Sequence, residues 1–300
     1  MPRTLARLCF TLAMVLVGLW LVGAPVTADP ADSVADPLAG TPIRSVYVRL
    51  PQSPQPPGRP MQVLLALHGM GGNGQDFAKE LLDQADHNGW LIVAPTIDYG
   101  DWTNPSVVAR EDPLLIQAMS AYLDGLPQLV GAPIHHGVLI LGHSRGAQLA
   151  HRFAEFQPDR VLAVAALSAG TYTLPETSGP DGNLPFPYGV QDLDQYTGRD
   201  FDVSRFDSVP IWVGVGAQDT NPSDLPRQWD RIEGSTRVQR AQAFEAAARQ
   251  LGAYAVLRLF SNAHHELTGE MRLAACDFLQ WSIRAQAARH DLVPIDVAPN

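Results

Sequence analysis

The sequence predicts an α/β domain built on a mostly parallel sheet with helices on both faces. Three observations carry this reading. Short runs rich in Val, Leu and Ile recur along the chain, helix-length segments separate them, and each run is continuously apolar rather than alternating. Continuous apolar strands are buried on both faces, and strand–helix alternation is the pattern of parallel sheets. With 300 residues, 46% hydrophobic and 17% charged, the chain can bury one full-sized core. The net charge is −10 and its basic residues, nearly all Arg, are scattered singly, which argues against a nucleic-acid surface.

The elements follow in order. Arg3 and Arg7 precede the apolar run 8–22, and Val26-Thr27-Ala28 supplies small residues, the parts of a secretory signal peptide cleaved after Ala28. Residues 1–28 are therefore expected to be removed, placing the mature chain outside the cell or in a periplasm. The run is short for a membrane span, and no stable membrane association is expected after cleavage. Residues 29–42 read as a flexible leader of Pro, Ala and Asp, 43–290 as the folded domain, and 291–300 as a tail. Cleavage removes Cys9 and leaves Cys276 alone in a helical pattern, so no internal disulfide forms and an inert buried thiol is expected.

Strands are predicted at 45–50, 61–67, 90–94, 137–141, 161–167, 210–214 and 254–260. Helices are predicted at 74–87, 109–124, 146–156, 237–251 and 267–288. Two stretches interrupt the alternation. Residues 51–60 are proline-dense and read as a surface turn. Residues 171–207, beginning at Thr171, are long for a loop and carry Tyr172, Phe186, Tyr188, Tyr196 and Phe201, which predicts an ordered flap.

Gly142-His143-Ser144-Arg145-Gly146 lies between a predicted strand and a predicted helix. Glycines at those spacings permit a sharp strand-to-helix turn that exposes a serine hydroxyl above the sheet. A serine needs a base and a group that orients the base, and this motif predicts them later in the chain as acid then histidine. Asp219 follows the 210–214 strand, with Asp224 the alternative. His265 lies in the Ser261-Asn-Ala-His264-His265-Glu266 loop, with His264 the alternative. Leu67-His68-Gly69-Met70-Gly71-Gly72 can aim backbone N–H groups at a developing oxyanion, and the amides of Met70 and Arg145 are the expected donors, with His68 bracing the loop. A phosphate loop would need a Gly-Lys-Ser/Thr ending, which this segment lacks.

These four signals together resemble the α/β-hydrolase superfamily over about residues 43–288. Within it the chain is similar to secreted bacterial esterases of the polyester-depolymerase and feruloyl-esterase type. Arg145 stands where a smaller or apolar residue is common. The resemblance implies a serine hydrolase cleaving carboxylic esters through an acyl-enzyme, with Ser144, His265 and Asp219 as the reacting set. Tyr172, in the flap, and Trp102, in the Asp98–Trp102 loop, are candidates to touch substrate. No cofactor or metal is expected: Gly-x-Gly-x-x-Gly is absent, and His135-His136 has no accompanying ligand spacing. A small-molecule or polymeric ester is the expected partner of a monomer. Peptidases and acyltransferases use the same constellation, and a hydrolase fold that only binds is the remaining alternative.

Overall fold

The computed structural model describes residues 36–53 and 58–291. The expected signal peptide, residues 29–35 of the leader and residues 292–300 of the tail lie outside the described residues. Strands β1 (Ile43–Arg49), β2 (Gln62–Leu67), β3 (Trp90–Ile97), β4 (Val138–His143), β5 (Val161–Leu167), β8 (Ile211–Gly216) and β9 (Ala255–Phe260) form one sheet in the order β1-β3-β2-β4-β5-β8-β9. Edge strand β1 pairs antiparallel with β3, and every other pair is parallel. A two-stranded hairpin, β6 (Ser178–Gly179) and β7 (Gly182–Asn183), stands apart.

The apolar runs are continuous because their two faces serve two cores. Val63, Leu65 and Leu67 of β2 join one cluster with Leu115 and Met119 of α3 (Pro105–Val130), Phe153 of α4 (Arg145–Phe156) and Phe244 of α8 (Arg237–Gln250). Leu64 and Ala66 join the other with Phe77 of α1 (Gly74–Lys79), Ala85 of α2 (Leu82–Asn88) and Met271, Cys276 and Leu279 of α9 (Gly269–Asp291). Cys276 is fully buried, and burial pushes its thiol up to about 12. Among the described residues no helix is long and apolar enough to cross a membrane.

Two helices differ from the sequence reading. The single helix expected at 74–87 is divided, because tight hydrogen bonds from Glu80 N–H to the Phe77 carbonyl and from Leu81 N–H to the Ala78 carbonyl rotate the chain. That rotation turns Phe77, Ala78, Leu81 and Ala85 all toward the sheet. The helix expected at 109–124 runs from Pro105 to Val130: Pro105 suits a first helical position, Asn104 caps it by accepting from Ser106 N–H at 3.0 Å, and Gly131 closes it at φ 67°.

The segment 171–207 is ordered and carries the β6–β7 hairpin, α5 (Asp194–Thr197) and α6 (Val203–Phe206). Its rings pack on other rings. Phe186 packs on Phe156 and Tyr196, Tyr188 on Trp229 of the 227–229 turn, and Phe201 on Phe206.

Candidate active site

Ser144 sits between β4 and α4 at φ 55°, ψ −116°, a conformation an L-residue holds only under constraint. The flanking glycines supply the room. A Cβ at Gly142 would overlap the Gly146 carbonyl, and one at Gly146 would overlap the Leu67 carbonyl of β2. The turn is pinned from β5, where Ser144 N–H donates to the Leu167 carbonyl at 2.8 Å.

Ser144 Oγ lies 2.9 Å from His265 Nε2, and His265 Nδ1 lies 2.8 Å from Asp219 Oδ2. Asp219 leaves the end of β8 and His265 the loop after β9. Gly216 lets these two chain ends meet, since a Cβ there would overlap the His264 carbonyl, and Gln218 N–H donates to Ala263 O at 3.0 Å. Asp219 is 5% exposed. Burial works against its ionisation, but the hydrogen bond from His265 and the charge of Arg237 overcome that and hold the carboxyl below its usual range. Arg237 Nη1 donates to Asp219 Oδ1 at 3.0 Å. The alternatives of the sequence reading sit elsewhere: Asp224 is exposed on the 222–224 turn, and exposed His264 meets Glu266 through its backbone N–H at 3.1 Å.

Adjacent His143 donates from Nε2 to the His265 carbonyl at 3.0 Å, and its ring lies 5.4 Å from the His265 ring. Burial first, and the neighbouring imidazole second, push it down to about 4, so it is neutral near pH 7. A neutral ring that donates from Nε2 tethers the His265 backbone without adding a second cation.

The His68–Gly72 loop runs against the serine, for a Cβ at Gly69 would lie 3.2 Å from Ser144 Cβ. His68 braces it: buried, its Nδ1 pairs with the Gly69 carbonyl at 2.6 Å while Nε2 accepts from Ile97 N–H at 3.0 Å. Met70 is exposed on this loop. Arg145 opens α4, where the first N–H groups lack intrahelical partners. Its side chain goes the other way. The guanidinium is fully buried, paired with Asp112, 3.6 Å from Glu111 and stacked 4.7 Å from the Tyr99 ring centroid. Asp112 also receives Arg152 at 2.7 Å, and Arg152 in turn donates to Thr171 and Thr173, each at 3.0 Å. An arginine at this elbow position is therefore part of the foundation under the turn.

Tyr172, expected beside substrate, is fully buried, its ring stacked 4.7 Å from Phe244 and 4.9 Å from His151. It packs between α4 and α8 because its backbone N–H is held by buried Glu233, at 3.0 and 3.1 Å, which draws the ring into the core. Trp102 is half-buried in the β3–α3 loop, its ring against Gly170, where a Cβ would lie 2.6 Å from the indole. Thr103 next to it and Ser223, Asp224, Leu225, Pro226 and Gln228 line a cleft of about 310 Å³. A larger groove of about 700 Å³, between α3 and residues 156–160 and 196–199, holds none of Ser144, Asp219, His265, Met70, Arg145, Tyr172 and Trp102. His135 and His136 are exposed, and among the described residues no His, Cys, Asp and Glu group is arranged to hold a metal.

Arg237, His143 and Gly216 were not legible as site residues. His143 stands in the elbow motif only at its variable position, and each of the three acts on a partner far away in the chain.

The Esterase family model matches residues 42–269. No curated protein matches the chain. Among solved structures, the chain is similar to a poly(aspartic acid) hydrolase-1 from Sphingomonas sp. KT-1, with 23% identity, a TM-score of 0.59, and 78% of this chain and 92% of that one covered. It is likewise similar to LpqC, a poly(3-hydroxybutyrate) depolymerase from Bordetella parapertussis, with 23% identity, a TM-score of 0.59, and 81% and 87% covered. A Bacillus cereus carboxylesterase aligns at 13% identity with a TM-score of 0.52, over 80% of this chain and 93% of that one. These likenesses establish the α/β-hydrolase fold, and the family match extends over most of the chain: the protein belongs to the Esterase family and is an ester hydrolase.

Proposed function

We propose that the protein is an exported serine esterase that turns over carboxylic esters through an acyl-enzyme. The observation that carries this reading is the continuous hydrogen-bonded relay from Asp219 through His265 to Ser144 on a strained elbow. His265 Nε2 takes the hydroxyl proton as Ser144 Oγ attacks the ester carbonyl, and buried Asp219 holds the Nδ1–H tautomer and stabilises the imidazolium that forms. The amides of Met70 and Arg145 receive the oxyanion, each contributing roughly 3 kcal/mol of barrier reduction. Collapse breaks the C–O bond, His265 returns its proton to the leaving alcohol, and water repeats the sequence to release the acid and restore Ser144. Trp102 and the neighbouring cleft contact the acyl or alcohol part. No cofactor takes part in these steps.

The test is hydrolysis of p-nitrophenyl esters of graded acyl length by the mature chain, beside Ser144→Ala, with a fluorophosphonate probe read by intact mass. Turnover and one covalent adduct, both absent in Ser144→Ala, are expected. An adduct without ester turnover would indicate a peptidase or acyltransferase, and neither adduct nor turnover in folded protein would leave a binding module. Assays on polymer films separate polyester depolymerisation from small-ester hydrolysis. Export is checked by N-terminal sequencing of the secreted protein, with Asp29 expected first, and the monomer by sedimentation.

A further inference from the structure

Arg237 opens α8 and is buried, at 5% exposure. Its placement goes against three ordinary preferences. A cation in a helix's first turn meets the positive end of the macrodipole, where acids are favoured, and α8 has no acid there. A buried donor normally finds a partner, yet Arg237 Nε has none. A buried ion pair also gains little over apolar packing, because desolvation offsets the attraction. Stability does not account for such a residue. Its contact does: Arg237 Nη1 holds one oxygen of Asp219 while His265 Nδ1 holds the other.

We propose that Arg237 is a positioning residue for ester hydrolysis, fixing the rotation of Asp219 and offsetting its charge, so that the acid limb of turnover lies at lower pH than it would without this arginine. The inference rests on reading Ser144, His265 and Asp219 as the reacting set. A lone carboxylate stabilises an adjacent imidazolium strongly, whereas a carboxylate shared with a guanidinium stabilises it less. Across a shared carboxylate and with solvent screening, a unit charge is worth on the order of one pH unit.

The other ionisable groups around the pair do not substitute for Arg237. His143 from β4 is neutral. Tyr172, after β5, is held unionised by burial, and Glu233 of α7 (Asp230–Glu233) is pushed up to about 8 by burial. Glu266, from the His265 loop itself, is negative, and His264 beside it is exposed. Among the described residues Arg237 is thus the cationic side chain that the structure pairs with Asp219, whose other oxygen meets His265.

The experiment is the pH profile of kcat and KM for a short p-nitrophenyl ester in wild type, Arg237→Lys and Arg237→Gln, with Arg237→Met in reserve if Gln does not fold. Melting temperatures are recorded for each. The neutral variants are expected to move the acid limb up by about one pH unit, a roughly tenfold loss on that limb, through kcat rather than KM, while Arg237→Lys keeps the limb near wild type. A limb that stays in place while activity falls equally at every pH would overturn the proposal and leave a structural role. A limb that moves equally in Arg237→Lys would overturn the charge argument. Wild-type turnover that survives in Ser144→Ala would instead overturn the reading of the site, a failure separate from an unmoved limb in a Ser144-dependent enzyme.

Discussion

Replacing Asp112 with alanine strands two arginines. Asp112, Arg145 and Arg152 have side chains with no solvent exposure, and the carboxylate bridges the two guanidinium groups. Burial opposes its ionisation, but the two positive charges overcome this and hold it below the usual carboxylate range. Removing one member of a buried ionic group typically costs about 3–5 kcal/mol, because the remaining charge is desolvated without compensation. Partial relief is at hand: Glu111 lies 3.6 Å from Arg145, and buried Glu155, whose proton is retained by burial, can ionise beside Arg152. The loss is therefore expected near the lower end, about 3 kcal/mol, or a fall in melting temperature of roughly 6–12 °C for a domain of this size. Urea unfolding followed by circular dichroism at pH 7 measures it. The variant carrying Asp112→Leu, Arg145→Met and Arg152→Met together is expected to recover most of that stability, since apolar residues of similar volume need no counter-charge. A loss below about 1 kcal/mol in Asp112→Ala would refute the claim that this ion cluster is dry and mutually dependent.

Three further outcomes are expected. Gly146→Ala drives a methyl into the Leu67 carbonyl at the elbow, so soluble protein should be scarce and its ester turnover absent; normal yield and activity would show that β2 yields easily. Glu233, with its carboxyl at about 8 in the folded protein against an ordinary value of 4.5, adds stability that is fully present below about pH 4.5 and is lost as pH rises toward and through 8. Glu233→Gln should flatten the fall of unfolding free energy over that window, by at most about 1.4 kcal/mol per pH unit, and an unchanged slope in urea titrations would contradict the assignment. Trp102→Ala opens the space over Gly170, and the ratio of octanoate to acetate p-nitrophenyl ester turnover should change about tenfold; a constant ratio would remove Trp102 from the substrate cleft.

The correspondence between sequence and structure depends on the range of the interaction. The elbow was legible because its constraint is local: Gly142 and Gly146 are needed within two residues of the serine they serve, and the clash each avoids is with backbone. The His68 loop was legible for the same reason. Tyr172 was expected to touch substrate because it opens an aromatic-rich flap, whereas its backbone is held by Glu233, sixty-one positions along the chain, and its ring lies in the core. The helix at 74–87 was misread where a hydrogen-bond shift of one residue, invisible to apolar periodicity, re-aimed Leu81.

By itself, then, the sequence determined the alternating α/β order, the apolar strands with two buried faces and the strained serine turn, since each follows from residue spacing and short-range sterics. Only the tertiary structure decided which of two aspartates and which of two histidines meet. It also decided that Arg145 is buried on Asp112 and that Arg237 holds Asp219 from eighteen residues away. Those choices depend on how β8, β9 and α8 converge in space, and charge pairing inside a core is set by burial and distance that no local pattern encodes.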